Sequence, residues 1–224
     1  VTGTIAVDSG SLIFSGSQAA LAATADLDLG SGINLTLENA SIAMDRLTVA
    51  DGILTIGSAS QLSVNSGSLN GTLTGAGDFV KAGAGAFVLG GDVSGFTGNF
   101  AVNAGEVLLA VDTTFVADAR VTVAGGAILN LNDKNATFGE INVDNDGIID
   151  IGSATGADSL TIGGGVIAGV IRGDGNVVYQ NGLTVITGAD IEYFGTTTVD
   201  NAEIRVGALK AFGESDVSLI NNGL

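Results

Sequence analysis

Apolar residues along this chain recur at every second position, in short runs broken by Gly, Asn, Asp and Ser. The runs include Ile33-Leu35-Leu37, Leu47-Val49, Leu54-Ile56, Leu62-Val64, Phe87-Leu89 and Val107-Leu109. They continue at Val121-Val123, Leu129-Leu131, Ile141-Val143, Ile149-Ile151, Leu160-Ile162, Val185, Thr197-Val199, Ile204-Val206 and Val217-Leu219. A spacing of two puts both side chains on one face of an extended strand. The residues between the runs tolerate positive φ, which suits tight turns. One stretch departs from the pattern: Ala19-Ala20-Leu21-Ala22-Ala23 suits a single helical turn inside a loop. The pattern predicts an all-β protein.

Internal repetition narrows the architecture. The segment from Thr2 to Ile13 recurs from Thr97 to Leu108, 95 positions later, with five of twelve residues identical. Gly52-Ile53-Leu54-Thr55-Ile56-Gly57-Ser58 recurs at Gly147-Ile148-Ile149-Asp150-Ile151-Gly152-Ser153, again 95 apart. Gly71, Leu73, Gly75, Gly77 and Phe79 recur at Gly169, Ile171, Gly173, Gly175 and Val177, 98 apart, which places an insertion near Gly156-Ala157-Asp158. A third copy opens at Gly195-Thr196-Thr197-Thr198-Val199. The copies run over 1–96, 97–194 and a partial 195–224.

Tandem immunoglobulin-like sandwiches would need longer strands and a core Trp or tyrosine corner. This chain has no Trp and no Pro, and nothing resembling a linker separates its copies. Strands of three to five residues with small turns instead suit a parallel β-solenoid, whose apolar positions stack coil on coil. The expectation is therefore a right-handed parallel β-helix of about ten coils forming a single segment over 1–224. At ~4.8 Å per coil the rod is about 45–50 Å long. Leu35, Leu54, Phe79, Phe87, Leu108, Val123, Leu131 and Ile151 are expected to point inward, and Phe96, Phe100 and Phe115 to fill the interior with them.

Composition then removes most chemistry. The chain has 36 glycines in 224 residues, and its 24 acidic against 7 basic residues give a net charge of −17. Mean hydropathy is nonetheless +0.48, which excludes ordinary disorder. Without His or Cys there is no histidine-based triad, no thiol nucleophile and no Cys or His metal site. The negative charge argues against nucleic acid and anionic membrane surfaces. No apolar run approaches the ~18 residues of a membrane helix, so this segment is not expected to insert. A signal-peptide pattern is also missing. A chain without cysteine suits passage, unfolded, through an oxidising compartment.

The remaining polar clusters each have a simple structural reading. Asn142-Val143-Asp144-Asn145-Asp146-Gly147-Ile148-Ile149-Asp150 resembles the front of a calcium loop, making Asp144, Asp146 and Asp150 weak calcium candidates. The twelfth position is Ser153 rather than Glu, so Asx turns explain the cluster better. Asp26 with Asp28, and Asp190 with Glu192, are spaced to share a strand face. Glycoside hydrolysis would ask such a pair for a set separation and one perturbed pKa, and solvated outward charge is the simpler account. Gly173-Asp174-Gly175 is no phosphate loop, since no helix and no Gly-Lys-Ser or Gly-Lys-Thr follows. Phe194 aligns with Phe96 and is expected in the core. No catalytic residue and no cofactor is assigned.

The most specific stretch runs Leu73-Thr74-Gly75-Ala76-Gly77-Asp78-Phe79-Val80-Lys81-Ala82-Gly83-Ala84-Gly85-Ala86-Phe87-Val88-Leu89. It continues from Phe96-Thr97-Gly98 through Ala104-Gly105-Glu106-Val107-Leu108-Leu109. This resembles the autotransporter-associated β-strand repeat, in an ordered Gly-Gly-Lys-Gly-Gly-Leu array over 73–109. A degraded copy covers 171–206, where Tyr179 replaces Lys81 and Leu183 replaces Gly85. The resemblance implies a β-helical passenger exported through the outer membrane of a Gram-negative bacterium and displayed on the cell surface or released. Lys81, charged and within this motif, is expected as a structural surface lysine, and the chain is expected to be an excised part of a longer passenger. Its expected partners are a second copy of itself or a host or extracellular-matrix protein. Three functional classes follow: an adhesin or self-association module, a structural stalk or fibre unit, and, less favoured, a carbohydrate-active enzyme.

Overall fold

The computed structural model describes residues 3–17, 21–152, 158–188 and 191–223. Within them there are strands and no helix; Leu21–Ala23 is irregular, and Ala19 and Ala20 of the expected helical turn lie outside the described residues. All strand pairings are parallel, and they wind the chain into a β-solenoid of ten turns with three faces.

Face A stacks Gly3–Val7, Ala25–Leu29, 46–49, 66–69, Ala86–Leu89, Glu106–Leu109, Ile128–Asn130, Ile148–Asp150, Val170–Gly173 and Glu192–Tyr193, one strand per turn. Face B begins as a five-strand ladder, Ser11–Ser15, Asn34–Glu38, Ile53–Ile56, Thr72–Gly75 and Gly95–Phe96. It resumes at 113–115 and 136–138, then Ser159–Ile162, Asn176–Gln180, Thr196–Asp200 and Asp216–Ile220. Face C stacks 41–44, 61–64, Asp78–Lys81, Asn99–Val102, 120–123, 141–143, Gly165–Ile167, Leu183–Ile186 and Glu203–Val206. Most turns advance 19 to 21 residues per coil. The step from Phe138 to Ile162 is 24, which accommodates the insertion expected near Gly156 to Asp158; Gly156 and Ala157 themselves lie outside the described residues.

Alternation sends one side chain in and the next out, so each face contributes a file to a continuous apolar core. Leu35, Leu54, Phe79, Phe87, Val123, Leu131 and Ile151 point inward as expected. Leu108 does not: Val107 and Leu109 are buried and Leu108 faces outward. Val107-Leu108-Leu109 is apolar at all three positions, so a period of two cannot choose the register there. The interior carries a stack of rings. Phe100 lies 4.8 Å from Phe79 at an interplanar angle of 7° and 5.1 Å from Phe115, and Phe115 lies 5.6 Å from Phe138.

Two further expectations are corrected. Phe194 is 62% exposed, whereas its neighbour Tyr193 is buried. Tyr193 sits at the inward phase because its hydroxyl joins a chain through Thr197 and Ser215 to the Phe212 carbonyl. Lys81 is not a surface residue: it is fully buried. It follows the inward phase of Phe79, and its ammonium donates to the carbonyls of Gly83 and of Ala104, the latter at 2.9 Å. The stem packs in the core while the head ties together two turns one coil apart. Tyr179, the residue that replaces Lys81 in the degraded copy, is buried as well.

Burial holds the Lys81 ammonium below its ordinary pKa of 10.5. Where a lysine's folded pKa is depressed, the unfolded chain binds more protons between the two values, so stability rises with pH across that window. Lys81→Met leaves two turn carbonyls unpaired and is expected to cost about 1–3 kcal/mol at pH 7. Denaturant melts should show the native chain gaining on the variant as pH climbs towards 10.5. A pH-independent difference contradicts this placement.

The 95-residue repeat is out of step with the coil. Ile5 lies on face A, its counterpart Phe100 on face C and the next counterpart Thr197 on face B. Leu54 on face B and Ile149 on face A show the same displacement. One copy therefore spans fourteen strand positions, or four and two-thirds turns, and each copy starts one face back from the last. The duplicated unit is a strand with its turn, and the three faces accept it interchangeably because all three present the same inward file.

Candidate contact surfaces

Of the carboxylates singled out in the sequence, those of Asp26, Asp28 and Asp150 are engaged in the rod's own bonding. Asp26 and Asp28 stand side by side on face A, and Arg46 from the next turn bridges them at 3.6 and 3.2 Å. Glu192 is exposed, and Asp190 lies outside the described residues. Asp150 accepts from the Arg172 guanidinium at 2.8 Å and from the Gly152 amide at 3.1 Å. Asp144 and Asp146 belong to turns: the Asp144 carbonyl accepts from Gly147, and Asp146 adopts a φ of 64° while its carbonyl accepts from Gly126. The structure does not gather Asp144, Asp146 and Asp150 into one cluster, and among the described residues no three acidic side chains converge as a metal site.

Charge is distributed unevenly around the rod. All four arginines are paired: Arg46 as above, Arg120 with Glu140, Arg172 with Asp150 and Arg205 with Glu203. These pairs stand on faces A and C. Glu140 takes bonds from the Asn142 amide and from Arg120, which hold its carboxyl below the usual range.

Face B differs. Its central outward file, in register within each ladder, reads Ile13, Thr36, Thr55, Thr74 and Gly95, then Thr114, Thr137, Thr161, Val178, Thr198 and Ser218. Seven of these eleven positions are threonine and none is charged, on a chain of net charge −17. The Thr55 and Thr74 hydroxyls lie 3.1 Å apart. β-Branched threonine suits an outward strand position, and in-register Thr pairs stabilise a sheet by ~0.2–1 kcal/mol each. A second file at the strand starts is locked internally. Asn34, Asn135 and Asn176 each accept the backbone N–H one coil on, at 2.9 to 3.0 Å, and Asp112 does the same for Asn135. These side chains replace backbone bonds between coils at the corner and fix the register of the file beside them.

A hydroxyl both donates and accepts, so a file of threonines is complementary to another such file and to any polar surface. In the sequence the file shows as a threonine between two inward residues, as in Leu35-Thr36-Leu37, Leu54-Thr55-Ile56, Ala136-Thr137-Phe138 and Leu160-Thr161-Ile162. No family model, no curated protein and no solved structure matches this chain.

Proposed function

We propose that this chain is a contact rod without catalytic chemistry: a β-helical passenger of the autotransporter type, displayed at a bacterial surface, that adheres through face B. The autotransporter reading rests on the ordered glycine and lysine array over 73–109. The observation that carries the contact role is the uncharged threonine file. Two rods of charge −17 repel at long range, and that repulsion is smallest where uncharged file meets uncharged file. Two-fold pairing of face B on face B also satisfies the rule that a self-complementary patch makes a closed dimer. Contact with a host or matrix protein through the same hydroxyls is the alternative partner.

Cells displaying this segment test the reading. They are expected to clump, and to clump more as salt rises from about 10 mM to about 500 mM, because shortening the Debye length from ~30 Å to a few ångströms removes the repulsion. Moving the pH towards the isoelectric point near 4.1 should act in the same direction. Clumping that weakens with salt contradicts self-association. Neither clumping nor binding to matrix proteins would leave the stalk as the better account.

A further inference from the structure

Two clefts flank the corner between faces B and C over the sixth to ninth turns, of about 440 and 490 Å³, and they share Ala117 and Gly139 as a common wall. A bulge builds this corner. Phe115 pairs with Phe138 and Arg120 with Glu140, so four residues, 116–119, stand opposite the single Gly139. The bulge lies directly on that glycine, where an added Cβ would come within 2.3 Å of the Ala117 Cα. The next two turns pass the corner on Gly163-Gly164 and on Asn181-Gly182, so the glycines in each leave room beneath the overhang.

The lining is amphipathic and electrically balanced. On the face B side it offers the Thr114 and Thr137 hydroxyls and the Gln180 amide. On the face C side the Arg120 Nε and NH2 groups donate to Glu140 Oε1 at 3.0 and 2.7 Å, and the Asn142 amide donates to the same oxygen at 3.0 Å. All three bonds fall on Oε1, which leaves Oε2 as an acceptor. Beside this polar group, Val166 and Leu183 are 42% and 39% exposed.

We infer that this corner binds a neutral oligosaccharide. A pyranose has an aliphatic C–H face and a rim of hydroxyls that both donate and accept. Val166 and Leu183 match the first, and the carboxylate, guanidinium, amide and threonine hydroxyls match the second. Arg120 and Glu140 cancel, so the lining holds no spare cation for an anionic glycan, and the charge of −17 around it opposes one. An extended peptide would need an open strand edge, but 141–143 and Gly165–Ile167 are paired on both sides. This inference goes beyond the adhesion reading and does not depend on it.

Saturation-transfer NMR with a panel of neutral tetrasaccharides (gluco, manno, galacto and N-acetylglucosamine types) and a galacturonate tetramer tests it. The expected result is saturable binding of at least one neutral tetrasaccharide and none of the galacturonate. Leu183→Glu and Glu140→Gln should each weaken that binding tenfold or more. Val166→Glu serves in place of either variant that loses its β-type circular dichroism. Thr55→Lys, on face B in the third turn, should leave sugar binding unchanged while impairing association. The inference is overturned if no neutral tetrasaccharide saturates, if the galacturonate binds as well, or if the folded cleft variants bind like the native chain.

Discussion

Replacing Phe100 by alanine is expected to lower the unfolding free energy by about 3–5 kcal/mol. The ring is sandwiched between Phe79 and Phe115, at 4.8 and 5.1 Å, and is fully enclosed. The cavity cannot collapse easily, because the surrounding strands are held at fixed separation by the ladders that pair Phe100 with Phe79 on one side and Val121 on the other. The lost contact therefore adds a cavity cost to the transfer cost. Gln61→Ala, on an exposed side chain of the same face, should stay within about 0.5 kcal/mol. Calorimetry on both variants checks this, and equal losses would mean that the assigned inward register is wrong. A solenoid unfolds by coupled neighbouring coils, so the Phe100→Ala melt should also broaden as the middle turns uncouple from the ends.

The second large effect comes from the backbone. Gly52, Gly71 and Gly91 stack at the corner between faces A and B in successive turns. A Cβ on Gly71 would stand 1.9 Å from the Gly52 carbonyl oxygen, and one on Gly91 1.6 Å from that of Gly71. The obstructing atom is backbone, and the same Gly52 oxygen accepts the Thr72 N–H at 2.9 Å, so a shift breaks a bond between coils. Gly71→Ala is expected to cost about 3 kcal/mol, the upper end for overpacking. Gly126→Ala makes a useful contrast. Gly126 has a φ of 80° with nothing within 4 Å, so only the left-handed backbone penalty of about 1–2 kcal/mol applies. Thermal melts of the pair should rank them in that order; a costlier Gly126→Ala would contradict the close stacking of turns.

What the sequence disclosed follows from where the physics is local. A period of two is written into each strand, so the all-β solenoid, its ten turns and seven of the eight inward residues could be read directly. Leu108 was lost where three apolar residues in a row erase the period. Lys81 was misplaced because its charge argues for solvent, and only the fold shows two turn carbonyls within reach of its head. Phe194 was misplaced because alignment of copies outweighed the polar chain that draws Tyr193 inward. The threonine file of face B was hidden for a different reason: its neighbouring threonines are some 19 to 24 residues apart, and only the coil spacing lines them up. The superrepeat added to the concealment, since each copy turns onto another face and no face inherits a single copy's pattern.

The central claim is that the uncharged face is where rods meet, and sedimentation velocity tests it most directly. The native chain and two double variants would be run at about 10 mM and about 500 mM salt. Thr74→Lys with Thr137→Lys places two charges in the face B file, and Thr48→Lys with Ser68→Lys places the same two on face A. Both pairs reduce the net negative charge equally, so long-range repulsion is matched. The account predicts that the native chain and the face A variant associate as salt rises, while the face B variant stays monomeric at about 500 mM. Association that falls with salt, or a face B variant that associates like the native chain, would contradict it.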